Sequence, residues 1–319
     1  MEARRDTSGP SRERSKTPPC APAERFRGRA VTVMGLGLFG GGAGAARYLA
    51  RAGARVTVTD LKDAGRLAAS IEALKGLPIT YHLGGHAAED FTRADAVVVN
   101  PAVDKPESGF VRLARQAGAE ITAEMNLFIE ACPAPVLGVT GSSGKSTTTA
   151  LAGDMLRLFR PSRVGGNIGI SLLDELGDIR PDEWIVLELS SFQLEDLAAL
   201  RWSPRLAVTT CISPNHLDRH KSMPAYIDAK KNIVRFQRPG DTAVLNADDP
   251  ELAGWQAEVR AAGSRAVLYS IERPLTADRL RGGSGDPPRG GSPEPPRQDR
   301  VFFDGSVLVL RMDGREERV

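Results

Sequence analysis

Short apolar runs alternate with helical segments along most of the chain, beginning near Arg29. RAVTVMG is β-branched and ends in glycines. GAARYLARAG follows with apolar positions at helical spacing and a glycine stop at Gly53. RVTVTD, ending in Asp60, and DAVVVN, ending in Asn100, are further strand-like runs that deliver polar residues at their carboxyl ends. Strands alternating with helices predict parallel βαβ units in a doubly wound sheet, whose ligands sit outside the carboxyl ends of the strands.

The pattern restarts at PVLGVT, after the Pro-containing link ACPAP, and continues through EWIVLELSSF, RLAVTTCISPNH and DTAVLNADDP. The expected organisation is therefore a tail over residues 1–27, a first α/β domain over 28–133 and a second over 134–319. The tail, rich in Arg, Ser and Pro, reads as disordered. Residues 274–300, rich in Gly, Pro and Arg, read as a flexible insertion. VFFDGSVLVLRMDG predicts a hairpin turning at Asp304-Gly305.

Composition changes this picture little. With 319 residues, 41% hydrophobic and 26% charged, the chain suits two ordinary globular domains. A net charge of +2 gives no reason to expect a nucleic acid. No apolar run is long enough to cross a bilayer, so no membrane is expected. Cys20, Cys132 and Cys211 form no C-x-x-C pair and suggest a reducing, cytoplasmic setting.

Two stretches carry candidate chemistry. Gly35, Gly37 and Gly40 of GLGLFG stand between a strand and a helix, with Asp60 about twenty residues on, the arrangement of a dinucleotide site. A glycine turn packing helix on strand is the plainer alternative. TGSSGKSTTT is a phosphate loop in strand-to-helix context, although Val139 stands where the strict pattern has its first glycine. Gly141, Ser142, Ser143 and Gly144 would turn backbone amides onto phosphate oxygens. Lys145 would reach the outer phosphates, Ser146 would ligate Mg²⁺, and Thr147 would add a donor. Glu188, a lone acid ending an apolar strand, would be a metal ligand or else the partner of an arginine. His216 and His220 have the spacing of a zinc pair but lack a third ligand set. Lys230 and Lys231 read as a solvated helix face.

The ordered set GLGLFG, TGSSGKST, GGNIG, LELSSFQL, HLDRH, DAK and VLNADDP resembles the Mur ligases, ATP-dependent amide-forming enzymes of peptidoglycan synthesis. Within them it is most similar to the branch that adds D-glutamate; LELSSFQL is the most discriminating stretch. The likeness covers roughly residues 29–250. It implies a Rossmann-like N-terminal domain that binds UDP in place of NAD, followed by a P-loop-type central ATPase domain with a mostly parallel sheet. The implied reaction joins D-glutamate to UDP-N-acetylmuramoyl-L-alanine through an acyl phosphate, using ATP and Mg²⁺, in a monomeric enzyme. By resemblance, Lys145, Glu188, His216 and Lys230 are catalytic. Ser146, Glu188, His216 and Lys230, the last as a carbamate, hold metal. Leu38, Phe39, Asp60, Leu61, Lys62, Asn100 and Pro101 surround UDP, while Asn167, Ser190, Ser191 and Arg219 contact the rest of the substrate. The family's third domain and its LxGxHNxxN stretch do not occur before Val319, so the expectation is a chain of two domains. Three other readings stay open: a NAD-dependent oxidoreductase, a folate- or cyanophycin-type ligase, and a module that binds these nucleotides without turnover.

Overall fold

The computed structural model describes residues 22–38, 40–169 and 171–271, and the backbone of 300–304, 307–312 and 315–318. Most of the expected tail and insertion, and Phe39, lie outside the described residues.

The first sheet contains β1 (Ala30–Met34), β2 (Arg55–Asp60), β3 (Ile79–Leu83), β4 (Ala96–Val99) and β5 (Glu120–Thr122). Its order is β3-β2-β1-β4-β5, with every pairing parallel. β4 shows why a parallel sheet forms. All four residues of AVVV are buried, Ala96 and Val98 in one apolar cluster and Val97 and Val99 in another, so helices cover both faces. The strand order reverses between β1 and β4, and GLGLFG follows β1 at that switch point.

The second sheet contains β6 (Val136–Thr140), β7 (Ser162–Gly166), β8 (Trp184–Glu188), β9 (Leu206–Thr209), β10 (Thr242–Asn246), β11 (Arg265–Ser270), β12 (Arg300–Asp304), β13 (Val307–Met312) and β14 (Arg315–Arg318). Its order is β14-β13-β12-β11-β10-β9-β6-β8-β7. Pairings from β7 through β12 are parallel, and the last three strands form antiparallel hairpins. Asp304 faces Val307 across the expected hairpin, whose turn lies outside the described residues. β6 lies between β8 and β9, so the loop after β6 opens at the second switch point.

Within the segment assigned to the tail, Pro22–Phe26 forms a 3-10 helix and Phe26 is completely buried. Residues 22–26 are therefore structured, against the expectation of a disordered tail there. One apolar cluster runs from Phe26, Leu49 and Phe128 through Leu173 and Leu187 to Leu245, so both sheets share a core.

Candidate functional site

The loop after β6 packs against the residues that follow β8 and β9. Gly144 caps the helix Lys145–Arg157 at φ 79°, so the free N–H groups of the first turn face the loop. Gly141 has φ 154°, and a Cβ there would lie 1.8 Å from Thr210 Oγ1. The loop is also held from outside. Ser142 N–H donates to the Cys211 carbonyl at 2.8 Å. Ser142 Oγ donates to the Ser213 carbonyl (2.9 Å), accepts the Ser213 N–H (2.9 Å) and lies 2.9 Å from Tyr226 Oη. Thr210 Oγ1 donates to the Ser143 carbonyl at 2.5 Å.

Inside this cradle, Lys145 Nζ donates to the Ser142 carbonyl at 3.2 Å. Ser146 Oγ donates to Glu188 Oε2 at 2.6 Å, and Asn167 Nδ2 donates to Glu188 Oε1 at 2.9 Å. Glu188 is 2% exposed and ends β8 at the sheet's ligand edge. Its partners are a hydroxyl and an amide; among the described residues it makes no arginine salt bridge.

Lys230 overturns its reading as a solvated side chain. On the helix Met223–Arg235 it is 2% exposed, donating to the Gly141 carbonyl at 2.8 Å and to Thr140 Oγ1 at 3.4 Å. Burial, reinforced by the Lys145 ammonium, brings its pKa down to about 7, against the opposing pull of Cys211 and Glu188. Lys231, in contrast, ion-pairs with Glu258.

The structure thus brings Lys145, Ser146, Asn167, Glu188 and Lys230 to one loop. Thr147 sits exposed on the helix's first turn. His216 stands apart: it is exposed, has φ 53°, and has its ring 5.2 Å from that of Phe192. His220 is buried, stacked on Phe192 at 4.9 Å, with Nε2 2.9 Å from Ser191 Oγ. Its pKa is lowered, chiefly by burial. Among the described residues, no group of three or more His, Cys, Asp or Glu could hold a metal. Ser190 caps the helix Ser191–Ala198 in a capping box with Gln193, and Ser191 is buried against His220, so both hydroxyls already have protein partners.

In the first domain, Asp60 is buried and holds two loops together. Its carboxylate accepts the Gly37 N–H at 3.1 Å and the Lys62 N–H at 2.9 Å. Asn100 Nδ2 donates to the Gly35 carbonyl at 3.3 Å, and Pro101 follows in the same turn. Leu38 and Leu61, next in sequence to Gly37 and Asp60, are exposed at 54% and 72%. Arg219 spans the two domains, donating to the Ala102 and Val103 carbonyls at 2.9 and 3.0 Å.

The motif reading misses Tyr226 and Thr210. Tyr226 has a sequence signal, because it lies four residues before Lys230 on one helix face, and the ammonium is 4.8 Å from its ring centre. Thr210 has none, because its role comes from β9 lying beside β6.

A Rossmann-like sheet beside a phosphate-loop sheet, with lysine, hydroxyl and carboxylate gathered at the loop, is an α/β architecture of the P-loop class. Family models match both parts: "Mur ligase MurD-like, N-terminal domain" over residues 29–123 and "Mur ligase middle domain" over 139–283. The UDP-N-acetylmuramoylalanine–D-glutamate ligase of Roseiflexus sp. (strain RS-1) is 54% identical over 227 residues, 71% of this chain and 48% of that protein. The ligase of the same name from Geobacter metallireducens is 44% identical over 293 residues, 91% of this chain and 58% of that protein. A crystal structure of UDP-N-acetylmuramate:L-alanyl-gamma-D-glutamyl-meso-diaminopimelate ligase from Neisseria meningitidis shares the fold. It has a TM-score of 0.56 at 18% identity, covering 92% of this chain and 87% of that one. The chain belongs to the Mur ligase family. It spans about half the length of the curated relatives it matches.

Proposed function

We propose that this chain is the UDP- and ATP-binding part of an ATP-dependent ligase that joins D-glutamate to UDP-N-acetylmuramoyl-L-alanine. The observation that carries the reading is the placement of Ser146, Glu188, Lys145 and Lys230 on one glycine-cradled loop. On this reading the first domain takes the uridine diphosphate at the turns held by Asp60 and Asn100, between Leu38, Leu61, Lys62 and Pro101.

The first step brings a substrate carboxylate to the γ-phosphate of ATP, so two anions must meet. Lys145 and the N–H groups of Gly144 to Thr147 lower that repulsion and align the phosphates. Magnesium fits the donors present, because Ser146 and Glu188 present hard oxygens side by side at the start of the helix. When bound it neutralises developing phosphate charge. Asn167 keeps Glu188 turned towards Ser146 by occupying its other oxygen. Lys230, with a pKa of about 7, has a large neutral fraction at physiological pH, the form that adds CO₂. As a carbamate it would serve, with His216, as the second set of metal ligands that the family pattern assigns. By the family pattern, Asn167, Ser190, Ser191 and Arg219 would contact the sugar-peptide part of the substrate.

Calorimetric titration of this chain with UDP-N-acetylmuramoyl-L-alanine, with NADH in parallel, tests the reading. Binding of the UDP-sugar and not of NADH supports it. Binding of NADH alone makes the GLGLFG turn a dinucleotide site and removes the ligase assignment.

A further inference from the structure

The proposed reaction uses the carboxyl edge of the second sheet. At the opposite edge, where β6, β8, β9 and β10 begin, lies a cavity of about 1090 Å³ lined by Arg160, Arg201, Arg205, Arg238, Trp184 and Trp202. These residues converge because the four strands are adjacent and parallel. Trp184 opens β8, and Arg205 immediately precedes β9.

The charge in this cavity is unbalanced. None of the four guanidinium groups makes a salt bridge or side-chain hydrogen bond among the described residues, and Arg201 only overlies the Phe236 ring at 5.5 Å. Two carboxylates on the wall offset only part of this charge. Asp241 accepts the Arg238 backbone N–H at 2.7 Å, and Asp182 pairs with Arg180 at 3.5 Å. Arg201 also holds φ 49°, a left-handed conformation unusual for a non-glycine residue. All four arginines are exposed, so the hollow presents four like charges to solvent, a field that attracts an anion. Both indoles are half-buried, so they line the hollow instead of projecting from it.

We infer that this cavity binds a nucleotide, distinct from any held at the phosphate loop. Its base stacks on Trp184 or Trp202, and its phosphate is forked by two or more of the arginines. The volume is that of a small-molecule site, whereas a docked protein segment would need a broader face. The mixture of guanidinium and indole selects an aromatic anion over a simple one.

Tryptophan fluorescence reports on this directly. Of the three tryptophans, Trp184 and Trp202 line the cavity, Trp255 is 1% exposed in the core, and none lies in the first domain. The chain carrying Lys145→Ala, which disables the phosphate loop, would be titrated with UMP, ATP, inorganic pyrophosphate and a poly-glutamate peptide. The expected result is saturable quenching by a nucleotide that survives Lys145→Ala. It weakens about tenfold or more in Arg205→Gln/Arg238→Gln, whose far-UV circular dichroism stays that of the parent. Trp202→Phe and Trp184→Phe assign the stacking ring. Three outcomes overturn the inference: quenching that disappears with Lys145→Ala, quenching indifferent to the arginine pair, or tight binding of the peptide with none of the nucleotides.

Discussion

Lys230 Nζ donates to the carbonyl of Gly141 at 2.8 Å, so a lysine from the helix Met223–Arg235 is fastened to the turn of the phosphate loop 89 residues away. The contact joins a buried cation to the backbone that must receive phosphate. It makes the protonation of one amine part of the loop's stability.

The sign of that effect follows from the two pKa values. Lys230 is at about 7 in the folded chain and 10.5 when unperturbed. Between these values the unfolded chain binds the extra proton, so stability rises with pH across that window. Below about 7 the folded state carries the full cost of a buried ammonium. Thermal unfolding of the wild type and Lys230→Met at pH 6 and pH 9 should show the wild type gaining on the variant at the higher pH. A difference independent of pH means that the amine is not held near neutrality.

Gly141→Ala should damage both fold and site. At φ 154° the added Cβ meets Thr210 Oγ1 at 1.8 Å, and Thr210 is itself bonded to the Ser143 carbonyl. Relief requires moving the loop or β9. A loss of about 1–3 kcal/mol is expected, as for other overpacked buried sites. Urea unfolding measures it, and ATP titration should show affinity falling in parallel. An unchanged midpoint would mean that the loop has slack that the close packing does not reveal.

Glu188→Gln keeps the shape and leaves one oxygen to accept from Asn167 or Ser146, but removes the negative charge. Circular dichroism should be unchanged while the magnesium dependence of ATP binding is lost, by about tenfold or more in affinity. Equal Mg²⁺ dependence in wild type and variant would falsify the assignment of Glu188 as the metal ligand.

The two sheets are legible in the sequence because parallel strands buried on both faces leave continuous apolar runs, as AVVV of β4 does. The phosphate loop is legible because its glycines and hydroxyls are local. What escapes is set by contacts between distant segments. Adjacent lysines look alike in YIDAKKNIV, yet Lys230 turns inward beneath Tyr226 and Lys231 outward to Glu258. Asp60 stands where a ribose-binding acid would, while its carboxylate ties the Gly37 turn to the Lys62 turn. Phe26 escapes because Arg and Pro around it dominate the local composition, although its ring is fully buried.

Glu124 makes the contact between the domains sensitive to pH. It opens the helix Glu124–Ala131 and accepts a hydrogen bond from Ser171 Oγ at 2.7 Å. Burial raises its pKa from 4.5 to about 7, with the Ser171 bond opposing. The folded chain therefore holds the extra proton between these values, and stability falls as pH rises through that range. Glu124→Gln should match the wild type near pH 4.5 and exceed it by about 1–2 kcal/mol at pH 8. Paired denaturant curves at the two pH values decide the point; no relative gain at pH 8 rules it out.

Arg219 makes the strongest geometric case for a fixed domain arrangement. One planar fork reaches the Ala102 carbonyl at 2.9 Å and the Val103 carbonyl at 3.0 Å, lies 3.4 Å from Asp104 Oδ2, and covers the Phe192 ring at 4.8 Å. A lysine is a single point charge and cannot reproduce two divergent N–H donors. Arg219→Lys should therefore behave like Arg219→Ala, each losing about 1–2 kcal/mol. Asn126 Nδ2, donating to the Asp196 carbonyl at 3.0 Å, and the Lys105–Asp196 ion pair still bridge the domains. A single variant should loosen them without separating them, whereas Arg219→Lys with Lys105→Met should raise the radius of gyration and expose the 131–135 link to protease. If the lysine variant alone keeps wild-type stability, charge and not the fork is what Arg219 supplies. If the double variant scatters like the wild type, the apolar core shared by the two sheets sets their arrangement unaided.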